Sequence, residues 1–213
     1  MEGEETMSTK EEILSRLRQN TRETYDLPDF GSIRPITYAD PVEEFKTKTT
    51  TTAGAKLIEL HDEADLNKTI RSIVENISYS GEAGGGLVAS NLPGIEADLN
   101  PDTVGSAQEL MKVDVGVVEG RIGVAENACI WIPQQMKEKA ICFASEQLVI
   151  VLRRHDIVNN MHEAYERIAQ SQEFFQQYKF GTFISGPSKT ADIESALVYG
   201  AQAARGVTVI LCD

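Results

Sequence analysis

The chain has 213 residues, of which 41% are hydrophobic and 25% charged, and this size and composition suit one globular domain. Its formal charge of −13 argues against nucleic-acid binding, which draws on clustered lysine and arginine. No stretch approaches the roughly 18 to 20 apolar residues of a membrane helix. The acidic start, residues 1–6, lacks the basic and apolar regions of a signal peptide, so we expect a cytoplasmic protein.

The N-terminal forty residues have a different character from the rest. Ser8 and Glu11 have the spacing of a capping box and predict a helix with Ile13, Leu14 and Leu17 on one side. That apolar face needs a partner, either the domain's own core or a second subunit. Proline and glycine between Tyr25 and Pro41 predict an extended linker, so we divide the chain into residues 1–40 and 41–213.

After residue 40, predicted strands and helices alternate. A helix is expected from Pro41, a strand over Lys56–Leu60, a helix over Asp62–Ile77 and a short strand over Leu87–Ser90. Such alternation is typical of an α/β fold, with a parallel-rich central sheet and flanking helices. We expect that sheet to be completed by five apolar runs: residues 113–118, 129–132, 147–152, 181–185 and 207–211. Helical spacing is also present over residues 157–168 and 193–200.

Two residue types give little sign of a metal or cofactor site. Cys129, Cys142 and Cys212 lie in apolar stretches without C-x-x-C spacing, which favours reduced, buried thiols over a zinc site or a cluster held by this chain alone. The histidines at 61, 155 and 162 are interpreted as surface or interface residues. We therefore expect that this chain binds no cofactor and no metal.

The segment 181–201 contains the clearest candidate for a binding site. It places Gly186, Ser188, Lys189 and Thr190 between a predicted strand and the predicted first turn of a helix. Free backbone N–H groups at such a turn, two hydroxyls and a lysine could hold a carboxylate or phosphate near the carboxyl edge of a parallel sheet. Ordinary helix capping by Ser188 or Thr190 explains the same residues equally well.

The same segment carries a family resemblance. Residues 185–194, Ser-Gly-Pro-Ser-Lys-Thr-Ala-Asp-Ile-Glu, resemble the signature of the LUD domain in the lactate utilization protein C (LutC/YkgG) family. A second block, residues 113–132, is similar to that family's Asp-x-Gly and Ala-Glu segments, with Asp114, Gly116, Ala125 and Glu126 on the matching positions. The resemblance covers residues 40–212. It implies a fold similar to the ribose-5-phosphate isomerase and CoA-transferase group (NagB/RpiA/CoA transferase-like).

The resemblance also implies a set of site residues. Glu126 is the candidate catalytic group, as a base, a nucleophile or an orienting acceptor, and the alternative is a carboxylate that caps or pairs locally. We expect Glu126 and Lys189 to face one cleft. The expected substrate-binding or anion-binding residues are Asn127, Ser185, Gly186, Ser188, Lys189, Thr190 and Asp192.

The chain departs from the family pattern at several positions. Asn127, Ala128 and Cys129 stand where Thr-Gly-Thr is common, and Val118 stands where a threonine is usual. A histidine is usual near Gln147, and residues 202–204, Gln-Ala-Ala, replace a usual His-Gly-Pro. These departures count against acid–base roles for histidine at these places.

Three functions remain open on the sequence. The resemblance implies a subunit of a system that oxidises L-lactate to pyruvate, in which iron–sulfur clusters belong to partner proteins and this chain supplies a small-anion or partner-binding site. A free-standing enzyme of CoA-transferase or sugar-phosphate isomerase type would use Glu126. A non-catalytic scaffold or regulator would fit the missing histidines, and self-association of the chain is compatible with all three.

Overall fold

The computed structural model describes residues 9–23, 25–26, 28–77, 86–171, 180–192 and 196–213. The chain divides into two compact units, Met1–Arg34 and Pro35–Asp213. In the first unit, helix α1 (Thr9–Asn20) exposes Ile13, Leu14 and Leu17. Ser8, half of the predicted capping box, lies outside the described residues. No helix in the described part of the chain is long and apolar enough to cross a membrane.

The second unit has the predicted α/β architecture. Its helices are α2 (Pro41–Thr51), α3 (Leu66–Glu75), α4 (Ile141–Ala144) and α5 (Met161–Gln170). Its strands are β1 (Lys56–Leu60), β2 (Val88–Ala89), β3 (Val115–Gly120), β4 (Ile122–Val124), β5 (Ile130–Pro133), β6 (Gln147–Arg153), β7 (Ile157–Val158), β8 (Gly181–Ile184), β9 (Lys189–Thr190), β10 (Val198–Tyr199) and β11 (Gly206–Cys212).

The central sheet is parallel throughout its described strands, in the order β1-β11-β6-β3-β2. Its inner strands are runs of valine, isoleucine and leucine that are buried on both faces. Val115, Val117 and Val118 of β3 are fully buried. Ile210 and Leu211 of β11 are also fully buried. Burial on both sides explains why these runs are continuous rather than alternating.

A second sheet corrects part of the sequence prediction. Residues 129–132 and 181–185, both expected in the central sheet, instead supply β5 and β8 of a sheet ordered β7-β4-β5-β8. Ile130 and Ile132 of β5 share one core cluster with Ile150 and Leu152 of the central sheet, so the two sheets are packed together. An apolar run alone does not tell which of two packed sheets a strand joins.

Two predicted helices also need correction. The helix expected from Ile157 begins only at Met161, and Ile157 belongs to β7. In the segment expected to form a helix over residues 193–200, Val198 and Tyr199 form β10, which pairs antiparallel with β9. Residues 193–195 of that segment lie outside the described residues.

The strand register defines one edge of the central sheet that matters for the site. Lys56 of β1 pairs with Thr208 of β11, and Gly206 of β11 pairs with Gln147 of β6. These three strands therefore begin at the same edge, which we call the amino edge. Ala53 comes shortly before β1 and Ala204 shortly before β11, so both lie at the amino edge.

Candidate functional site

Glu126 and Asn127 lie in a tight turn between β4 and β5. The turn is closed by the N–H of Val124, which donates to the carbonyl of Cys129 at 2.8 Å. Asn127 accepts the N–H of Cys129 at its own side-chain oxygen, 3.0 Å away. Between them, Ala128 is buried and has a φ of 55°, in the left-handed region that favours glycine. The position where the resembling family has glycine therefore needs glycine-like backbone geometry.

The carboxylate of Glu126 is engaged at the start of helix α5. Its Oε2 accepts the backbone N–H of Met161, the first residue of α5, at 3.0 Å. Carboxylates are favourable there because the first N–H groups of a helix have no partner within the helix. Glu126 is thus held as a helix cap, which is the local role that the sequence left open.

The backbone carbonyl of Glu126 contacts a lysine that the sequence did not single out. Lys48 of α2 donates to this carbonyl at 2.9 Å and to the hydroxyl oxygen of Tyr38 at 3.0 Å. The hydrogen bond with Tyr38 and the carboxylate of Glu44 raise the pKa of Lys48. No motif marks Lys48, because its contacts join segments about eighty residues apart.

The loop after β8 does not begin a helix. The N–H of Ser188 donates to the carbonyl of Ala204 at 3.0 Å, and the carbonyl of Ser188 accepts the N–H of Gly200 at 3.0 Å. The bond with Gly200 extends the hairpin of β9 and β10, and the bond with Ala204 ties the loop to the segment before β11. The N–H of Ser188 is therefore not one of a row of free N–H groups at a helix start. Ser188 therefore caps no helix within the described residues.

The loop also lies at the opposite edge of the sheet from the one expected. The ammonium of Lys189 donates to the carbonyl of Ala53 at 2.5 Å, and Ser188 is bonded to Ala204. Both partners lie at the amino edge, whereas the sequence analysis expected the carboxyl edge. The prediction of the carboxyl edge assumed that a crossover helix follows the loop, whereas the loop leads into the hairpin of β9 and β10.

The two family-like segments touch each other. The hydroxyl of Ser185 donates to the carbonyl of Asn127 at 2.9 Å and lies close enough to the thiol of Cys129 to influence its pKa. Burial raises the pKa of the Cys129 thiol, and the negative charge of Glu126 raises it further. The hydroxyl of Ser185 lowers this pKa and so offsets part of the rise. The structure therefore brings Glu126, Asn127 and Ser185 together as neighbours.

A cleft of about 350 Å³ lies beside the hairpin loop. Lys189 lines this cleft, and Glu126 is not among the described residues that do. Asn127, Ser185, Thr190 and Asp192 are also outside its lining. The described lining residues are Cys142, Phe143, Leu148, Phe183, Ile184, Gly186, Pro187, Ser188, Lys189, Gln202, Ala203, Ala204 and Val207.

Gln202 and Gln147, two of the positions that depart from the family pattern, line different cavities. Gln202 lines the cleft beside Lys189. Gln147 lines an open groove of about 1250 Å³ along β1 and α3.

The cysteines and the metal-ligand residue types form no metal site in the described segments. There, no group of three or more histidine, cysteine, aspartate or glutamate side chains could hold a metal ion. Burial raises the pKa of Cys142 to about 12, and it also raises the pKa of Cys212. Both thiols are fully packed in the core, as expected for small hydrophobic residues, whereas Cys129 is only partly buried.

Comparison with known families identifies the domain. The LUD domain profile matches residues 42–212, which is most of the chain. The chain belongs to the LUD-domain family. A crystal structure of a DUF162 family protein from Deinococcus radiodurans is similar to this LUD domain, with a TM-score of 0.61 and 16% sequence identity. The match covers 84% of this chain and all of the other chain, and it supports the fold. Comparison with curated proteins found no significant match.

Two further positions of the LUD resemblance have structural roles. The carboxylate of Asp114 accepts the N–H of Leu87 at 2.5 Å and so joins β2 to the start of β3. At Gly116, a side chain would collide with the carbonyl of Ile141 and the hydroxyl of Ser145. These two residues shape the sheet rather than line the cleft.

Proposed function

We propose that this LUD protein is a subunit of a lactate utilization system of the LutC type, which oxidises L-lactate to pyruvate. Its contribution is a small-anion or partner-binding site in the cleft beside Lys189. The observation that carries the proposal is the family match over residues 42–212, since the LUD domain is associated with lactate utilization. The cleft beside the Ser185–Thr190 motif, with its lysine at the rim, supports the location of the site.

The proposal assigns the redox step to partner proteins. Oxidation of L-lactate to pyruvate releases two protons and two electrons, and we expect iron–sulfur clusters in the partners to accept the electrons. Clusters are ligated by thiolates, whereas burial raises the pKa of all three thiols in this chain and so favours their protonated form. This chain would then bind the acid or orient a partner.

The alternative of a free-standing CoA-transferase-like or isomerase-like enzyme has less support. A nucleophilic or basic Glu126 needs its carboxylate beside a bound substrate. The carboxylate accepts the first N–H of α5, and Glu126 does not line the cleft that contains Lys189. A purely scaffolding role would leave the cleft without a function.

Growth on L-lactate tests the proposal. The gene is deleted in the organism of origin, and the strain is complemented with the parent, with Lys189→Gln or with Lys68→Gln. Lys68 is a control because its side chain is 86% exposed on α3 and does not line the cleft. We expect the deletion to abolish growth on L-lactate but not on glucose, the parent and Lys68→Gln to restore it, and Lys189→Gln to restore it poorly.

Purification of the tagged parent chain from lactate-grown cells tests whether the chain binds partner proteins that carry iron–sulfur clusters. We expect a co-purifying protein with the electron paramagnetic resonance spectrum of iron–sulfur clusters. Normal growth of the deletion strain on L-lactate would refute the proposal. Full complementation by Lys189→Gln would instead refute the site.

A further inference from the structure

The cleft beside Lys189 has an apolar floor and a polar rim. Of the described residues that line it, Lys189 alone carries a formal charge. The rim also contains the polar side chains of Ser188 and Gln202. The floor is formed by Cys142, Phe143, Leu148, Ile184 and Val207, whereas the ring of Phe183 packs against Trp131 and Tyr165. Such a lining suits a ligand with one charged end and an apolar body.

The geometry of Lys189 favours a single negative charge. Its ammonium has three N–H donors, and one of them is directed to the carbonyl of Ala53. The remaining donors suit the two oxygens of a carboxylate. A phosphate dianion would retain an unbalanced charge beside apolar side chains, which costs free energy. The rim therefore favours a monocarboxylate over phosphate.

The size of the cleft distinguishes lactate from larger acids. Its volume of about 350 Å³ is at the lower end of the range for small-molecule sites, about 300 to 1,000 Å³. A three-carbon acid has only one methyl group to place on the floor. The accessible ring of Phe143, which is 40% exposed, can instead pack against an aromatic or branched group.

We propose that this cleft binds a monocarboxylate whose aromatic or branched body is larger than the methyl group of lactate. The carboxylate lies at Lys189 and the body packs over Phe143. The inference rests on the proposed small-anion site and adds the substrate class, namely 2-hydroxy or 2-oxo acids with a large apolar substituent.

Calorimetric titration of the full chain tests the substrate class. The probes are pyruvate, phenylpyruvate, 4-methyl-2-oxopentanoate and inorganic phosphate. We expect the two larger acids to bind at least about tenfold more tightly than pyruvate, because they bury more apolar surface. Phosphate should bind more weakly than either of them.

Variants locate the binding. Phe143→Ala should weaken phenylpyruvate binding by about fivefold or more and change pyruvate binding by less than about twofold, by the same burial argument. Lys189→Gln should weaken all three carboxylates by about tenfold or more through loss of a charged hydrogen bond. Met111→Ala is the control, because Met111 is 73% exposed and does not line the cleft. Thermal melts show whether each variant is folded.

The outcomes separate this inference from the proposed function. If pyruvate binds as tightly as phenylpyruvate and Lys189→Gln removes both, the size inference is wrong and the small-anion site stands. If no probe binds at millimolar concentration, both are wrong. Tightest binding of phosphate would overturn the monocarboxylate assignment. Phenylpyruvate binding that neither variant changes would place the ligand elsewhere and overturn the inference.

Discussion

Gly186 lies so close to Ala53 that a Cβ atom at position 186 would overlap the Ala53 carbonyl oxygen. That same carbonyl accepts the ammonium of Lys189. Gly186 also has a φ of 67°, where an L side chain is strained. Close approach and backbone conformation both require glycine, and together they place Lys189 at the amino edge of the sheet.

Gly186→Ala should therefore strongly destabilise the domain. We expect a loss of about 2 kcal/mol or more, because left-handed backbone strain costs about 1 to 2 kcal/mol for a side chain and the backbone overlap adds to it. Gly94→Ala is the matched control: Gly94 has a φ of 81°, but nothing lies within 4 Å of a Cβ there. Denaturant titration compares the two variants. Equal losses would show that the contact with Ala53 contributes nothing.

Ala128 offers the reverse substitution. Its φ of 55° is unfavourable for alanine, and the side chain is buried in the turn that carries Glu126. Ala128→Gly should stabilise the domain by up to about 1 kcal/mol, the relieved strain being partly offset by the greater freedom of glycine in the unfolded chain. Ala128→Val should destabilise it. A lower melting temperature for Ala128→Gly would contradict this interpretation.

The sequence predicted those parts of the fold that depend on local pattern. Helix α2 begins at Pro41 as expected, with Asp40 accepting the N–H of Glu43 as its N-cap. Strands β1, β6 and β11 are also confirmed, because their apolar runs are bounded by turns. The hairpin of β9 and β10 was mistaken for a helix, since two-residue strands are specified by pairing with each other and not by their own periodicity.

The sequence named the segments of the candidate site but not the contacts between them. Motif resemblance singled out Glu126 and Lys189, and the chains around them do meet through Ser185 and Asn127. The partners Lys48 and Ala53 come from another part of the chain and carry no local signal. The direction of the Glu126 carboxylate follows from where α5 begins, which only the tertiary structure shows.

Acid should weaken an ion-pair network around Glu59. Its carboxylate lies 2.8 Å from Lys46 and 3.0 Å from Arg154. Both bonds lower the pKa of Glu59, and the bond with Lys46 has the larger effect. A carboxylate with a lowered folded-state pKa contributes stability above its unfolded pKa, about 4.3, and loses it as pH falls through the folded pKa.

Glu59→Gln measures that contribution. The difference in melting temperature between parent and variant should be largest above about pH 5 and should shrink as the pH falls below about 4. Salt at about 1 M should also reduce it, because these side chains are partly exposed and screened. A difference that stays constant with pH would show that the carboxylate charge is not the cause.

Glu126 can be tested as a cap of α5 rather than as a catalyst. Glu126→Ala removes the acceptor for the N–H of Met161 and should cost about 1 kcal/mol of stability, the usual effect of losing a cap. Glu126→Gln keeps an acceptor and should cost less, mainly through the charge at the helix start. Hydrogen exchange of the α5 amides should show both losses as faster opening of its first turn.

Asn160→Ala is the positive control, because Asn160 is the N-cap and accepts the N–H of Glu163. If Glu126→Gln abolishes growth on L-lactate with the exchange of α5 unchanged, Glu126 is a catalytic residue and the capping role is secondary.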